Sequence, residues 1–213
     1  MSKSLIALLL VPLGLVTGQE LKPVALPAPQ TSGGKPLMQA RKERKSVREF
    51  GPEQVSKQTL SSLLWAAWGI NRDDGRRTAP SASNRQEIDV YVITADGAYT
   101  YDAKANALKP VLQTDIRKLA GTQAYVADAP VNLVYVADTA KLGGDDPGKL
   151  ATANADSGFI AQNVYLFCAS EGLGTVVRGS VDRAGLGKAL NLRAEQRIIL
   201  AQTVGYAKKS AAN

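Results

Sequence analysis

Histidine is absent from the 213 residues of this chain, and cysteine occurs once. Ser-His-Asp and Cys-His catalysis, zinc sites built on histidine and His-ligated haem therefore all lack a base or a ligand that they need. The single cysteine, Cys168, lies in an apolar helical pattern, so we expect a buried structural thiol and no intramolecular disulfide. We assign no catalytic side chain, and if the chain is an enzyme a cofactor carries the hard chemistry.

The chain also lacks an apolar run long enough to span a bilayer comfortably. One lysine precedes the apolar run 5–16, which Pro12 and Gly14 interrupt. This pattern predicts a secretory signal peptide at residues 1–18, cleaved after Gly18, in preference to an uncleaved membrane anchor. We therefore expect an exported protein, periplasmic or secreted, without stable membrane insertion after cleavage.

Positive charge is present but modest, with a formal net charge of +7. It is concentrated in residues 41–45 and in Arg72, Arg76 and Arg77. Neither cluster has interleaved aromatic residues or belongs to a recognisable nucleic-acid-binding module. We therefore expect no nucleic-acid partner.

The hydrophobic content of 45% is enough for one domain with a sizeable core, which we place at residues 41–213. Residues 19–40 are rich in Pro, Gly, Lys and Ser and show no periodicity. They predict an extended arm or linker that lies outside the core.

The periodicity of the domain predicts an α+β fold without a strict βαβ repeat. Ser56 caps a helix that Gly69 ends, and a strand at 88–94 turns through 95–97 into a second strand. The other predicted helices are 112–119, 149–170 and 181–190, and the other predicted strands are 131–137, 173–177 and 197–204. Gln162 and Asn163 lie within the long helix, where they face either a subunit boundary or the site, or form an interior hydrogen bond.

Three separated stretches have the composition of a binding site. Arg44, Lys45, Ser46 and Arg48 combine three cations with a hydroxyl, which is the chemistry that holds a phosphate dianion. The alternative for this stretch is a solvated basic turn.

The second stretch precedes a strand and presents small polar side chains that suit the edge of a flat heterocycle: Pro80, Ser81, Ser83, Asn84 and Gln86. In the third, Gly172, Leu173 and Gly174 allow close approach of backbone amides to a ligand. An ordinary Ser/Asn turn and a helix C-cap are the alternatives for these two stretches. Lys208 and Lys209 near the end of the chain are either phosphate ligands or a solvated tail.

In this order the stretches resemble the nitroreductase family of flavin mononucleotide (FMN) enzymes. The family segments are Arg-Arg-Ser-x-Arg, Pro-Ser-x-x-Asn-x-Gln and a terminal Gly-Tyr turn, matched here by Gly205 and Tyr206, that a basic residue follows. Lys45 departs from the commoner Arg, which keeps the charge but loses the bidentate fork. The resemblance covers residues 41–209.

The resemblance implies a nitroreductase-like fold, with a central, mostly antiparallel sheet flanked by helices, in an intertwined homodimer with one FMN at each interface site. It implies that residues 44–48, with Lys208 or Lys209, hold the phosphate and ribityl chain. The loop from Pro80 to Gln86 then lies against the flavin ring, and the amides of residues 172–174 tune its potential.

The implied activity is two-electron transfer by a ping-pong mechanism to a small-molecule acceptor such as a nitroaromatic or a quinone. The electron donor is unknown, because an exported enzyme would not meet cytosolic nicotinamide nucleotides. Residues 64–72 and 99–102 are most similar to the branch that contains peptide azoline dehydrogenases. The alternatives are a flavin-dependent dehydrogenase of a peptide or small molecule, a noncatalytic flavin-binding electron carrier, and an exported basic domain without a cofactor.

Overall fold

The computed structural model describes residues 21–208, so the predicted signal peptide and Lys209 lie outside the described residues. The strands are β1 Val24–Ala25, β2 Ile88–Thr94, β3 Gly97–Asp102, β4 Ala107–Leu112, β5 Val131–Asp138, β6 Gly174–Arg178 and β7 Gln196–Gly205. The helices are α1 Leu37–Glu43, α2 Lys57–Trp68, α3 Tyr125–Asp128, α4 Asp146–Glu171 and α5 Arg183–Ala189.

The seven strands form one sheet in the order β1-β4-β3-β2-β5-β7-β6. Each neighbouring pair is antiparallel. All eight residues of β5 are buried, as its continuous apolar run predicts. The α+β class and the antiparallel central sheet are therefore confirmed.

Helices cover both faces of the sheet. Because side chains alternate along a strand, Val90 and Val92 of β2 face the layer of α2 and α4, while Tyr91 and Ile93 face the layer of α5. Two hydrophobic cores result, one on each side of the sheet. The larger core, under α2 and α4, is the one that positions the candidate site.

The sequence predictions for α2 and for the β2–β3 hairpin are confirmed. The Ser56 hydroxyl accepts a hydrogen bond from the Thr59 amide at 3.0 Å, and Gly69 is the C-cap of α2. The hairpin pairs Thr94 with Gly97 across a tight turn.

Helix α4 begins three residues earlier than predicted. The Asp145 carboxylate caps it by accepting from the Gly148 amide at 3.0 Å, and Pro147 occupies its first turn. Gly172 ends it in the left-handed conformation, with φ of 74°. Within residues 21–208, no helix is both long and apolar enough to cross a membrane.

A buried polar chain joins α4 to the centre of the sheet. The Tyr135 hydroxyl donates to the Gln202 side-chain oxygen at 2.6 Å, and the Gln202 amide donates to the Ala161 carbonyl at 3.2 Å. Tyr135 and Gln202 are fully buried, so each polar group depends on this chain for its partner. The chain fixes the position of α4 along the strands.

The predicted helix at 112–119 is wrong. Leu112 belongs to β4, and only a 3-10 turn at Arg117–Ala120 is helical. The sequence gives little sign of β4 because it contains Pro110, and proline has no N–H to donate to a neighbouring strand. It is tolerated because the neighbouring β1 pairs only with Ala107 and Leu108, which leaves Pro110 at an open edge.

The expectation that the arm lies outside the core is also wrong for its described part. Val24 and Ala25 form β1, and Leu26 is buried in the larger core. The Pro27 carbonyl accepts from the Asn106 side-chain amide at 2.8 Å. A two-residue strand is too short to show periodicity, so the sequence carried no signal for it. The arm also ends early, because α1 begins at Leu37.

Replacing Tyr135 by Phe should lower the free energy of unfolding by about 1–3 kcal/mol, because the buried Gln202 oxygen loses the one donor it has among residues 21–208. Chemical denaturation monitored by circular dichroism measures the change. The control Tyr99→Phe, on the partly exposed β3, should stay within about 0.5 kcal/mol of the wild type. Equal stabilities for Tyr135→Phe and the wild type would contradict the role of the polar chain.

Candidate functional site

The first and third candidate stretches lie side by side. Ser46 forms a parallel bridge with Thr175 of β6, and the Val47 amide donates to the Thr175 carbonyl at 2.9 Å. A Cβ at Gly174 would stand 2.8 Å from Val47. The absence of a side chain at Gly174 therefore lets Val47 pack against the strand. From the sequence alone, we expected this space to allow a ligand to approach.

The end of the described chain joins the same place. The Gly51 amide donates to the Tyr206 carbonyl at 2.9 Å, and the Lys208 amide donates to the Glu49 carbonyl at 3.0 Å. The Lys208 backbone thereby lies beside Glu49, and Lys208 lines a separate cavity with Gly51 and Arg117. We call Arg44, Lys45, Arg48 and Lys208, the cations of this stretch and of the strand end paired with it, the basic cluster, and none of the four pairs with a carboxylate among residues 21–208.

Tyr165 of α4 contacts two residues of the first stretch, Ser46 and Arg44. Its hydroxyl lies 2.8 Å from the Ser46 hydroxyl and accepts from the Val177 amide at 3.0 Å. Its ring lies under the Arg44 guanidinium, 5.2 Å from ring centroid to guanidinium carbon. The Tyr165 hydroxyl therefore joins Ser46 to the backbone of β6 and fixes the position of the exposed serine hydroxyl.

Sequence reasoning missed Tyr165. The residue is 119 positions from Ser46, and no local motif connects the two. The one signal in the sequence is a phenol in the apolar stripe of α4, where a buried hydroxyl needs a partner.

A cavity of about 420 Å³ opens beside Lys45, which is the member of the basic cluster among its lining residues. Lys45, Val47, Tyr165 and Gly174 are among its lining residues. Cys168 also lines it but is only 1% exposed, and burial raises the pKa of its thiol. The expected structural thiol is confirmed.

The second stretch is a strained loop with its own internal hydrogen bonds. Ser83, Asn84 and Gln86 have φ of 51°, 52° and 48°, the left-handed region that side chains rarely adopt. The Ser81 hydroxyl accepts from the Gln86 amide at 3.0 Å. Ser83 and Asn84 are exposed, so their side chains face outward from a preformed loop.

Gln86 braces the loop with both ends of its side chain. Its side-chain oxygen accepts from Arg77 at 2.8 Å, and its amide donates to Asn84 at 3.0 Å and to the Gly75 carbonyl at 3.1 Å. Arg77 also donates to the Trp68 carbonyl at 2.8 Å and stacks 4.8 Å from the Trp68 ring centroid. Gln86 therefore supports the loop, and Ser83 and Asn84 are its outward-facing polar groups.

The loop and the basic cluster lie at different places along α4. The Ala82 amide donates to the Asp156 carboxylate at 2.9 Å, whereas Tyr165 is nine residues further along the helix, a rise of about 13.5 Å. A second cavity, of about 470 Å³, lies between the arm, α2 and α4 and is lined in part by Asn71, Thr78 and Asn163. Neither cavity is lined by both the basic cluster and the loop.

One face of α4 carries exposed apolar groups. Phe159 is 48% exposed, and Ala155 and Gly158 are exposed beside it. Gln162 is exposed on this face, so it forms no interior contact of the kind that the sequence left open.

Comparison with known proteins gives concordant matches. The model of the nitroreductase family matches residues 42–206. A protein from Methanocaldococcus jannaschii, named as a candidate nitroreductase, is 31% identical over 151 residues, which are 65% of this chain and 75% of that protein. The crystal structure of a candidate nitroreductase from Ralstonia eutropha has a TM-score of 0.84 and 39% identity, and the match covers 91% of this chain and 93% of that chain. The NADPH:FMN oxidoreductase from Vibrio harveyi shares the fold at 21% identity, with a TM-score of 0.62 over 81% of this chain and 69% of that chain.

Replacing Arg77 by Lys should loosen the loop, because a point charge cannot reproduce both fork contacts. Hydrogen–deuterium exchange should then be faster at the amides of Asn84, Arg85 and Gln86, which bond within the loop. Arg76→Lys is the matched control, since Arg76 pairs with the exposed Asp74. Unchanged exchange in Arg77→Lys would show that Gln86 does not need its guanidinium partner.

Proposed function

Because the chain belongs to the nitroreductase family, whose fold it has, we propose that it is an FMN-dependent oxidoreductase. The observation that carries the proposal is the basic cluster beside Ser46, whose hydroxyl Tyr165 orients. Four cations without carboxylate partners in the described chain, together with the exposed Ser46 hydroxyl, match the chemistry that binds a phosphate monoester. The NADPH:FMN oxidoreductase of Vibrio harveyi, a protein of the same fold, supports the choice of flavin.

The phosphate would be held by Arg44, Ser46 and Arg48, with Lys45 and Lys208 adding charge. The stacking of Arg44 on Tyr165 limits its rotamers, so less side-chain entropy is lost when it binds an anion. Lys209 would add a further cation.

The flavin ring would lie against the loop from Pro80 to Gln86. Ser81, Gln86 and Arg77 hold this loop in shape, and the exposed Ser83 and Asn84 would supply hydrogen bonds to the polar ring edge. The expectation that the amides of the third stretch tune the flavin is wrong for Gly172 and Leu173, because both amides donate to the Cys168 carbonyl as the C-cap of α4. The Gly174 amide would remain to stabilise negative charge on the ring.

Bound FMN would supply two-electron chemistry in successive half-reactions, from a donor to an acceptor such as a nitroaromatic or a quinone. The chain itself would bind, orient and leave one face of the ring open, and no histidine or reactive thiol is needed for these tasks.

A homodimer would unite the two parts of the site. The loop and the basic cluster are separated along α4 in one chain, whereas an interface on the exposed face of α4 would let one copy supply the cluster and the other supply the loop. The apolar groups around Phe159 suit such an interface.

Within the family, we place the chain nearest the branch that contains peptide azoline dehydrogenases, on the resemblance of residues 64–72 and 99–102. Asn71 and Trp65 from that region line the 470 Å³ cavity. We further propose that residues 1–18 are a cleaved signal peptide and that the mature enzyme is periplasmic or secreted. A donor other than a nicotinamide nucleotide would then serve it.

Wild-type protein incubated with excess FMN and desalted should retain a flavin absorption band. Arg48→Ala should bind FMN about tenfold or more weakly, because a charge-assisted hydrogen bond is worth about 1.5–3 kcal/mol. Its affinity for riboflavin, which has no phosphate, should be unchanged. Arg197→Ala, an exposed arginine at the start of β7, is the control. Absence of bound flavin in the wild type would overturn the proposed function.

Replacing Phe159 by Glu should place a charge in the proposed interface. Light scattering should report a mass near that of one chain, and flavin should be lost with the dimer because each site needs two copies. Thr122→Glu adds the same charge at an exposed position outside α4 and should leave the particle mass and the bound flavin unchanged. A monomeric Phe159→Glu that binds FMN as tightly as the wild type would contradict the shared site.

A further inference from the structure

Glu87 immediately follows the loop from Pro80 to Gln86 and is completely buried. No N–H or hydroxyl donor among the described residues forms a hydrogen bond with either of its carboxyl oxygens. An ionised carboxylate in such a place would lose its hydration without compensation. Burial therefore favours the protonated form of Glu87, whose carboxyl group can donate a hydrogen bond.

The group beside Glu87 that can take this proton is a second carboxyl group. Asp156 of α4 is 3% exposed and lies within hydrogen-bonding reach of Glu87. Burial and the neighbouring Asp156 together raise the pKa of Glu87 to about 7. The same Asp156 carboxylate accepts from the Ala82 amide at 2.9 Å, so it contacts both ends of the loop.

The other charged groups around Glu87 do not neutralise it. The Lys141 ammonium, from the 3-10 turn Thr139–Lys141, donates to the Gln86 carbonyl at 3.2 Å and lowers the pKa of Glu87 only in part. Asp138 donates its amide to the Glu87 carbonyl, and its carboxylate pairs with Arg193 at 2.7 Å.

We propose that Glu87 is a positioning residue that shares one proton with Asp156, and that this shared proton holds the loop in the shape that binds the flavin ring. The proposal rests on the proposed function for the identity of the ligand. Glu87 donates the proton to one Asp156 oxygen, while Asp156 accepts from the Ala82 amide.

Loss of the shared proton would set two buried negative charges side by side. The carboxylates would separate, and the Ala82 amide and the strained backbone at Ser83 and Asn84 would lose the acceptor that holds them. Ser83 and Asn84 would then present their side chains to the ring in fewer molecules. Flavin affinity should therefore fall as the pH rises through the pKa of Glu87.

The test is FMN affinity measured by fluorescence titration from pH 6 to pH 8 on the full dimeric protein. If only the protonated pair binds, the wild-type Kd should rise about tenfold over this range, while that of Glu87→Gln should not. The phosphate of FMN also titrates near this range, so the informative quantity is the ratio of wild-type to variant Kd at each pH. Glu53→Gln, at an exposed carboxylate, should follow the wild type.

A ratio that stays constant with pH would overturn the proposal. Asp156→Asn is the second variant if Glu87→Gln does not fold, since its side-chain oxygen can still accept from Ala82 while the second charge is gone. Its Kd should rise less between pH 6 and pH 8 than that of the wild type, because ionised Glu87 then faces a neutral amide and no second negative charge. An identical pH dependence in wild type and Asp156→Asn would also overturn the proposal.

Unfolding measurements separate this proposal from the proposed function. The folded state holds the Glu87 proton more tightly than the unfolded state, so wild-type stability should fall as the pH rises from about 4.5 to about 7, whereas Glu87→Gln should lack this fall. Parallel stability curves would refute the shared proton whatever the cofactor. A wild type that binds no flavin but shows this difference would refute the proposed function and leave the shared proton in place.

Discussion

The packing of α4 against the sheet is the constraint on which the rest of the structure depends. Ile160 and Val164 are fully buried in the larger core, and the bond from Gln202 to the Ala161 carbonyl sets the position of the helix along the strands. Once α4 is placed, Asp156 meets the loop and Tyr165 meets the basic cluster. A shift of α4 by one turn, about 5.4 Å, would displace both contacts together.

The two candidate parts of the site are organised by polar groups that α4 presents at its buried side. At the basic cluster, hydrogen bonds join the Val177 amide to Tyr165 and Tyr165 to Ser46, which positions the exposed serine hydroxyl. At the loop, Asp156 holds the Ala82 amide and faces the buried Glu87. In both places a buried side chain of α4, Tyr165 or Asp156, fixes the position of exposed polar groups. These exposed groups would contact the cofactor.

Much of the fold could be predicted from the sequence because the relevant signals are local. Ser56 and Gly69 bound α2, the alternation in β2 marks a half-buried strand, and the apolar run of β5 marks the centre of the sheet. Pro110 made β4 unrecognisable in the sequence, and β1 depends on its pairing with β4 and on the packing of Val24 and Leu26 against the larger core. The composition of residues 44–48 and 80–86 identified them as candidate site residues. The side chains that hold them in place could not be predicted, because Tyr165 is 119 positions from Ser46 and Asp156 is 74 positions from Ala82. Such contacts exist only after tertiary packing.

The central claim is that two copies of the chain complete each flavin site between them. Native mass spectrometry of the mature protein with added FMN measures the number of chains and of bound cofactors in the same particle. The account predicts two chains carrying two FMN molecules, with no flavin on single chains. A monomer carrying one FMN would contradict it.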